Sequence, residues 1–334
     1  MQLATIAVLL IAPFIAQFVY RYLTNPLRKI PAAHPLAHFT SLWINYVRWR
    51  SVENRTLKRA HERLGPVVCL GPNEISVNCV RGGIRDIYAG GFEKANLPET
   101  FNWYAFFTNF GESNMFSTGK NKAHSARKRM LSNIYSKSVI SGSPALLAQV
   151  SIIIFDRLLP RLASTISNED QGLLNIGPLL NAATMDIVSG YIFGLKSSSN
   201  LINDPKQLSW FLGLYNSRRS FNFWPQELPA LTSFVKKWFR YSLVPQWVDK
   251  ANKEIEGWTK GMCQSAAIVM SQGVTNVADT PVVYEQLFAA LSKEAVKTGE
   301  DGKDRSSLAA SEVLDQIAAG FDVSPSAMLY FVFR

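Results

Sequence analysis

Cysteine is scarce in this sequence and never grouped. The 334 residues include three cysteines, Cys69, Cys79 and Cys263, which show neither paired spacing nor a cluster with histidine. This scarcity argues against a disulfide framework and against zinc or iron–sulfur motifs, and it is typical of a protein whose body faces the reducing cytosol. Hydrophobic residues make up 47% of the chain, which is enough to bury a large core.

Several common catalytic and binding motifs are also missing. The sequence contains no Gly-x-Gly-x-x-Gly and no Gly-x-Ser-x-Gly. The stretch from Gly111 to Lys120 resembles a phosphate-binding loop, but its glycines are too far apart, and Asn121 stands where a serine or threonine would reach magnesium. The formal net charge of +10 is compatible with nucleic acid, anionic lipid or an acidic protein. Because the cations are dispersed behind an apolar N-terminus, we expect no nucleic-acid partner.

The N-terminus carries a long apolar run. Leu3 to Tyr20 is 18 residues without a charge. A helix of that length spans about 27 Å, close to the core of one bilayer. Basic residues follow this run, whereas a cleaved signal carries its positive charges before it. We therefore predict an uncleaved transmembrane anchor at residues 1–23 with the body in the cytosol. A buried helix and a secretory signal are the alternatives.

A hinge and a mainly helical body are predicted after the anchor. Residues 24–36 contain three prolines, which favour a stiff, extended connector. Residues 37–334 show no internal repeat and are predicted to form one mainly α domain with a small β-hairpin. The clearest predicted helices are Glu53 to Leu64, Asn175 to Leu195, Val248 to Gln272, Pro281 to Lys297 and Ser307 to Arg334, and the predicted strands are Val67 to Leu70 and Glu74 to Asn78.

Aromatic residues are concentrated between Trp210 and Trp247. Lys236, Lys237 and Arg240 lie among them. Aromatic rings beside cations favour the lipid headgroup region, because one end of each side chain is dry and the other is wet. Ordinary aromatic core is the alternative interpretation. The sequence leaves both open.

A cationic segment predicts a helix with an anion-binding face. Lys120 to Leu131 contains five Lys or Arg residues and no acid. His124 and Lys128 are four residues apart, so their side chains share one face of a helix. Two donors on one face suit a pair of carboxylates. A solvated cationic surface is the alternative.

A second segment, Ile317 to Ser324, lies late in a predicted helix. Gly320 costs about 1 kcal/mol relative to alanine there, which is tolerable where a large group approaches the backbone. Asp322 would be costly to bury without a partner. Pro325 cannot donate to the carbonyl of Phe321, so the helix is expected to kink or open and to offer a seat for a diatomic ligand and its waters. The alternative is a helix end with Asp322 exposed as a cap.

In their order and spacing, these segments resemble the cytochrome P450 family, and especially its fungal members of secondary metabolism. The cationic segment is similar to the family's C helix, where a Trp or His and an Arg four residues later bind the haem propionates. His124 and Lys128 stand in these two positions, and Lys128 offers a point charge in place of the bidentate arginine fork. The resemblance therefore implies that His124 and Lys128 bind the cofactor.

The second segment is similar to the family's I-helix pattern, Ala/Gly-Gly-x-Asp/Glu-Thr-Thr/Ser. Ala319 and Gly320 match its start and are implied to lie against the haem. Asp322 and Ser324 match the acid and the last position, which implies catalytic roles for them. Val323 replaces the threonine whose hydroxyl helps to deliver protons to oxygen, so proton delivery would run through Ser324 or water.

The resemblance implies a fold, an activity and partners. It implies an incomplete cytochrome P450-like fold behind the membrane anchor and a haem cofactor. The implied reaction inserts one oxygen atom from O2 into an apolar small molecule, with electrons from an NADPH–cytochrome reductase. The implied location is the endoplasmic reticulum membrane, single-pass and with the body cytosolic, so membrane lipid is a further partner.

Two motifs of the family are missing from the sequence. Neither the Glu-x-x-Arg of a later helix nor the Phe-x-x-Gly-x-Arg-x-Cys-x-Gly loop, which supplies the iron's thiolate, is present. Cys69 and Cys263 do not fit that loop, so no metal ligand is assigned. Two hypotheses follow: a monooxygenase sequence truncated before the haem-thiolate loop, or a catalytically inactive, membrane-anchored remnant or binding protein.

Overall fold

The computed structural model describes residues 12–13, 16–17, 19–20, 22–94, 102–166, 175–299 and 304–332. The chain divides into two units, residues 1–92 and 93–334. Helices dominate, and one two-stranded sheet lies in the described part of the first unit. The prediction of a mainly α fold with a small β-hairpin is confirmed.

The first unit contains the predicted hairpin among short helices. Its elements are α1 (Leu42–Trp49), α2 (Glu53–Leu64), β1 (Val67–Gly71), β2 (Glu74–Val77) and α3 (Arg85–Ala89). The strands are antiparallel, with Val67 opposite Val77 and Cys69 opposite Ile75. Gly65 ends α2 with φ 102°, a conformation that glycine adopts without steric cost.

The second unit is built from helices. They are α4 (Asn121–Leu131), α5 (Lys137–Gly142), α6 (Pro144–Ser151), α7 (Leu159–Ile166), α8 (Gly177–Phe193), α9 (Pro205–Ser217), α10 (Phe223–Glu227), α11 (Pro229–Phe239), α12 (Gln246–Gln272), α13 (Val282–Thr298) and α14 (Arg305–Val332). A π-helical stretch, Ile152–Leu158, lies between α6 and α7. The four long helices predicted here correspond to α8, α12, α13 and α14, with each described end within two residues of its predicted position.

The core of the second unit is centred on α8 and α14, which pack against each other. The buried Asp186 of α8 fixes the chain that follows this helix. Its carboxylate accepts hydrogen bonds from Ser199 Oγ at 2.6 Å and from the backbone N–H groups of Leu201 at 2.8 Å and Ile202 at 3.1 Å. Three donors satisfy a carboxylate that would otherwise be costly to bury.

The last predicted helix does not end before Pro325, so the alternative of a helix end at Asp322 is wrong. α14 continues through Pro325 to Val332. A proline inside a helix removes one backbone hydrogen bond and costs about 3 kcal/mol in isolation. Pro325 is buried in the second unit, and packing of α14 against α8, α12 and α13 offsets that cost.

The aromatic stretch is divided between core and surface. Phe211 is buried, whereas Trp238 and Phe239 at the end of α11 are 71% and 69% exposed. Lys236 and Lys237 are exposed beside them. The core interpretation therefore holds for Phe211, whereas contact of the exposed end of α11 with lipid headgroups stays a prediction.

The predicted anchor at residues 1–23 lies mostly outside the described residues. Within the part of the chain that the structure describes, no helix has the length and hydropathy needed to cross a bilayer.

Candidate functional site

The cationic segment forms α4, and His124 lies on its partly buried side. His124 Nδ1 lies 2.9 Å from the backbone carbonyl of Met115, in the segment before α4. A carbonyl oxygen only accepts, so Nδ1 carries the proton. Nε2 makes no further hydrogen bond within the described residues. Lys128, one turn later, is exposed. The imidazole is thus oriented by Met115, and one ring nitrogen remains available.

A buried carboxylate joins α14 to this region. Glu312 is 2% exposed and accepts a hydrogen bond of 2.9 Å from the backbone N–H of Met115. Arg127 of α4 lies 3.6 Å from the same carboxylate oxygen. Lys94 donates to the carbonyl of Met115 at 3.2 Å. Lys94, Met115, His124, Arg127 and Glu312 are called here the Glu312 network.

The acids of this region are electrostatically perturbed. Burial raises the pKa of Glu312 above its usual value, although Arg127 and the Met115 N–H oppose this shift. Burial, reinforced by the neighbouring charge of Glu312, raises the pKa of Asp315 to about 7. Burial also lowers the pKa of Lys94. Perturbed groups of this kind cluster at functional sites and at structural ion pairs alike.

The second candidate segment lies further along α14. Gly320 faces α8, and a Cβ atom added there would lie 2.7 Å from Cγ2 of Val188. The large group that approaches this glycine is therefore a neighbouring side chain of the same unit. Ala319 is exposed, and Val323 on the same helical face is 67% exposed. This face of α14 is open.

Asp322 and Ser324 lie at the surface end of the segment. The Asp322 carboxylate accepts a hydrogen bond of 3.2 Å from Arg219, and both side chains are largely exposed. Ser324 is half-buried. Asp322 therefore needs no buried partner, because solvent and Arg219 satisfy it.

A pocket of about 270 Å³ lies beside α14. Asp315, Glu256 and Arg218 contribute charge to it, and Asn252 contributes an amide. Its larger apolar lining residues are Phe106, Phe107, Phe211, Leu314 and Ile317. A mostly apolar cavity with a few converging polar groups is the usual form of a small-molecule site.

Haem, the cofactor implied by the resemblance, is only partly matched by these residues. His124 and Lys128 fit as donors to carboxylates, and the open face at Ala319 and Val323 fits a flat apolar group. The thiols do not fit. Cys69 donates to the carbonyl of Gly71 at 3.3 Å in the hairpin. Cys263 is buried in the helical core, where burial raises its pKa to about 12 and keeps it protonated.

The structure brings together only some of the predicted site residues. His124 is linked to α14 through Met115 and Glu312, whereas Gly320 lies eight residues beyond Glu312, about 12 Å along the helix axis. Sequence reasoning missed Glu312 and Asp315. Two acids among apolar residues of a predicted buried helix are the signal that could have identified them.

The chain is similar in sequence to several curated fungal proteins. No family model matches it. It is 24% identical over 322 residues to the cytochrome P450 monooxygenase aflU of Aspergillus parasiticus, covering 95% of this chain and 58% of that protein. Against the cytochrome P450 monooxygenase BOA3 of Botryotinia fuckeliana it is 24% identical over 328 residues, with the same coverage. The cytochrome P450 monooxygenase FrzC of Cladobotryum sp is 27% identical over 202 residues, covering 59% of this chain and 39% of that protein.

These matches confirm the predicted resemblance to fungal cytochrome P450 monooxygenases. The chain spans between 39% and 58% of the length of the three relatives. Identity is low, so the similarity concerns the family and not a particular substrate.

We predict that Gly320→Ala lowers the free energy of unfolding by about 1 kcal/mol. Overpacking against Val188 costs about 1–3 kcal/mol, which outweighs a gain in helix propensity of about 1 kcal/mol. In the Val188→Ala background the same substitution should become stabilising, because the valine methyl groups no longer occupy the space that the added Cβ of residue 320 needs. Urea unfolding of the four proteins measures both effects.

Gly257→Ala in α12 is the matched control, since no atom lies within 4 Å of an added Cβ there. It should be stabilising in both backgrounds. If Gly320→Ala destabilised the chain equally with and without Val188, the close approach of α8 would not be the cause.

Proposed function

We propose that this chain forms the greater part of a cytochrome P450 monooxygenase that oxidises an apolar small molecule in secondary metabolism. The observation that carries this proposal is the similarity to two fungal monooxygenases along 95% of the chain. The 270 Å³ apolar pocket beside α14 supports it as the substrate site. The chain spans 58% of the length of these two relatives, so the activity proposed is that of the whole protein.

Haem would supply oxygen activation when bound, and the residues of this chain would hold and orient it. His124, as an imidazolium that donates from Nε2, and the Lys128 ammonium would bind propionates. Ala319 and Val323 would form the apolar wall above the ring. Val323 cannot carry a proton, and Ser324 points about 100° further round the helix. The proton-holding hydroxyl next to the reacting atoms is therefore proposed to be Ser324 or a water that it orients.

The proposed redox partner is an NADPH–cytochrome reductase. Lys122 and Arg129 of α4 are exposed, and Arg129 adjoins a groove that also contains Lys293. Exposed cations of one sign steer an acidic partner and increase the rate of association. α4 would then serve haem on its inner side and the reductase on its outer side.

The proposed location is the membrane of the endoplasmic reticulum, with the body in the cytosol. The end of α11 supports contact with lipid, since Trp238 and Phe239 are exposed beside Lys236 and Lys237. A second cavity of about 360 Å³ includes Lys236 and shares Phe106, Asn222 and Asn252 with the substrate pocket. An apolar substrate could therefore pass from lipid to the pocket along this side of the unit.

The alternative function is that of an inactive remnant or a binding protein. Two observations favour it: Val323 stands at the proton-delivering position, and none of the three cysteines fits an axial thiolate. Without a thiolate, iron loses the electron donation that promotes O–O cleavage.

Haem binding decides between the two functions. The test uses the polypeptide encoded by the complete reading frame, including any codons after that for Arg334. We predict that it binds haem and gives a ferrous–CO spectrum typical of thiolate ligation. His124→Ala should weaken haem retention about tenfold, because one charge-assisted hydrogen bond contributes about 1.5–3 kcal/mol. Lys122→Ala, on the exposed side of α4, is the control and should leave haem retention unchanged. A reading frame without a cysteine loop, or a protein that binds no haem, would support the remnant.

Membrane contact has its own test. Trp238→Ser with Phe239→Ser should reduce binding of the chain to vesicles of anionic phospholipid several-fold, since each ring buries apolar area in the interface. Tyr88→Ser in α3 removes an aromatic residue that is 87% exposed and is the control. Vesicle sedimentation measures both, and equal losses for the two variants would contradict a specific role of α11.

A further inference from the structure

One carboxylate in the pocket makes no direct polar contact with the residues that the structure describes. Asp315 lies on α14 and lines the 270 Å³ pocket. Within the described residues it takes part in no hydrogen bond and no ion pair. Oε2 of Glu312, one turn earlier, instead accepts from the N–H of Met115 and lies 3.6 Å from Arg127. A half-buried acid without a direct ion pair is unfavourable, so the Asp315 carboxylate is available to a ligand.

The other charged groups near Asp315 are already engaged. Lys94 donates to two backbone carbonyls of the segment before α4, at 3.2 and 3.1 Å. Arg218 donates to the side-chain amide of Asn252 at 2.6 Å. Glu256 accepts a backbone N–H at 2.6 Å. Neither Lys94 nor Arg218 forms an ion pair with Asp315, although the charge of Lys94 acts on it.

Aromatic rings complete the surroundings of this carboxylate. Phe106, Phe107 and Phe211 line the same pocket. A ring face attracts a cation within about 6 Å of its centroid, and the attraction grows when water is excluded. The one cation in this lining, Arg218, already lies over Tyr215, 4.8 Å from the ring centroid. Among the described residues, no cation lies over these three phenyl rings. An acid together with such rings is a combination that recognises an ammonium group.

We propose that the pocket selects ligands that carry a basic nitrogen, which the Asp315 carboxylate holds as an ammonium ion while the phenyl rings contact the rest of the ligand. This inference rests on the proposed function, in which the pocket is the substrate site. It narrows the substrate class from apolar small molecules to apolar amines. No covalent step is involved.

The affinity for an amine should depend on pH in a defined direction. The pKa of Asp315 is raised to about 7 by burial and by Glu312, with Lys94 opposing the shift. Arg218 and Glu256 are the remaining charged groups of the pocket. The carboxylate is mostly protonated at pH 6 and mostly ionised at pH 8, whereas an alkylammonium with a pKa of about 10 stays charged throughout. Binding should therefore strengthen about tenfold between pH 6 and pH 8.

The test uses the 334-residue chain without haem and two probes of matched size, 4-phenylbutylamine and 4-phenylbutan-1-ol. Calorimetric titration at pH 6 and pH 8 gives the affinities. We expect the amine to bind about tenfold more tightly than the alcohol at pH 8, and the affinity of the alcohol to be independent of pH.

Asp315→Asn should weaken amine binding about tenfold and leave the affinity for the alcohol unaffected. Asp156→Asn, which removes an exposed acid on the π-helical stretch, is the control and should change neither.

The outcomes separate this inference from the proposed function. Equal affinities of the two probes, or amine binding that is insensitive to pH and to Asp315→Asn, would overturn the inference while leaving an apolar substrate pocket in place. Binding of neither probe would overturn the inference together with the substrate site. The pH series on the unsubstituted chain needs no variant, so a folding defect of Asp315→Asn cannot obscure the result. Failure of haem binding in the complete protein would contradict the monooxygenase function without altering the probe measurements.

Discussion

The candidate site depends on a buried carboxylate that must be satisfied. Glu312 is almost fully enclosed, and an ionised carboxylate loses several kcal/mol of hydration when it is buried. Arg127 and the N–H of Met115 offset this cost. The carbonyl of Met115 in turn accepts from His124 and Lys94. One set of polar contacts therefore fixes three regions: the segment before α4, the inner side of α4 and the first half of α14.

The same network sets the electrostatics of the pocket. Arg127 and Met115 contact Glu312, whereas Asp315, one turn later, has no ion pair within the described residues, and the charge of Glu312 raises the affinity of Asp315 for protons. The cations of α4 accordingly have separate roles. Arg127 stabilises a buried acid, whereas Lys122 and Arg129 face solvent. The sequence predicted a single cationic face for this segment. In the structure, one of its cations pairs with a buried acid, and others form an exposed surface.

Local patterns predicted the secondary structure well. Gly65 and Pro66 mark the end of α2, and the Gly-Pro-Asn turn places the hairpin within one residue of its described strands. Long-range contacts could not be predicted in this way. Glu312 and Arg127 are separated by 185 residues, and neither has a local feature that identifies the other. The sequence left a helix end at Asp322 open as an alternative, but α14 continues past Pro325 because packing against neighbouring helices, which a local rule does not include, offsets the lost hydrogen bond. Gly320 was expected to face a ligand, but its contact is Val188.

The measurement that tests this account most directly is a double-mutant cycle on Arg127 and Glu312. With Arg127→Met, Glu312→Gln and both together, urea unfolding should give a coupling energy of about 2 kcal/mol, as expected for a pair with one buried partner. Lys250 and Glu254, an exposed pair at 4.0 Å on α12, provide the reference and should couple by less than about 0.5 kcal/mol. A coupling between Arg127 and Glu312 no larger than that of the exposed pair would contradict the claim that this interaction holds the site together.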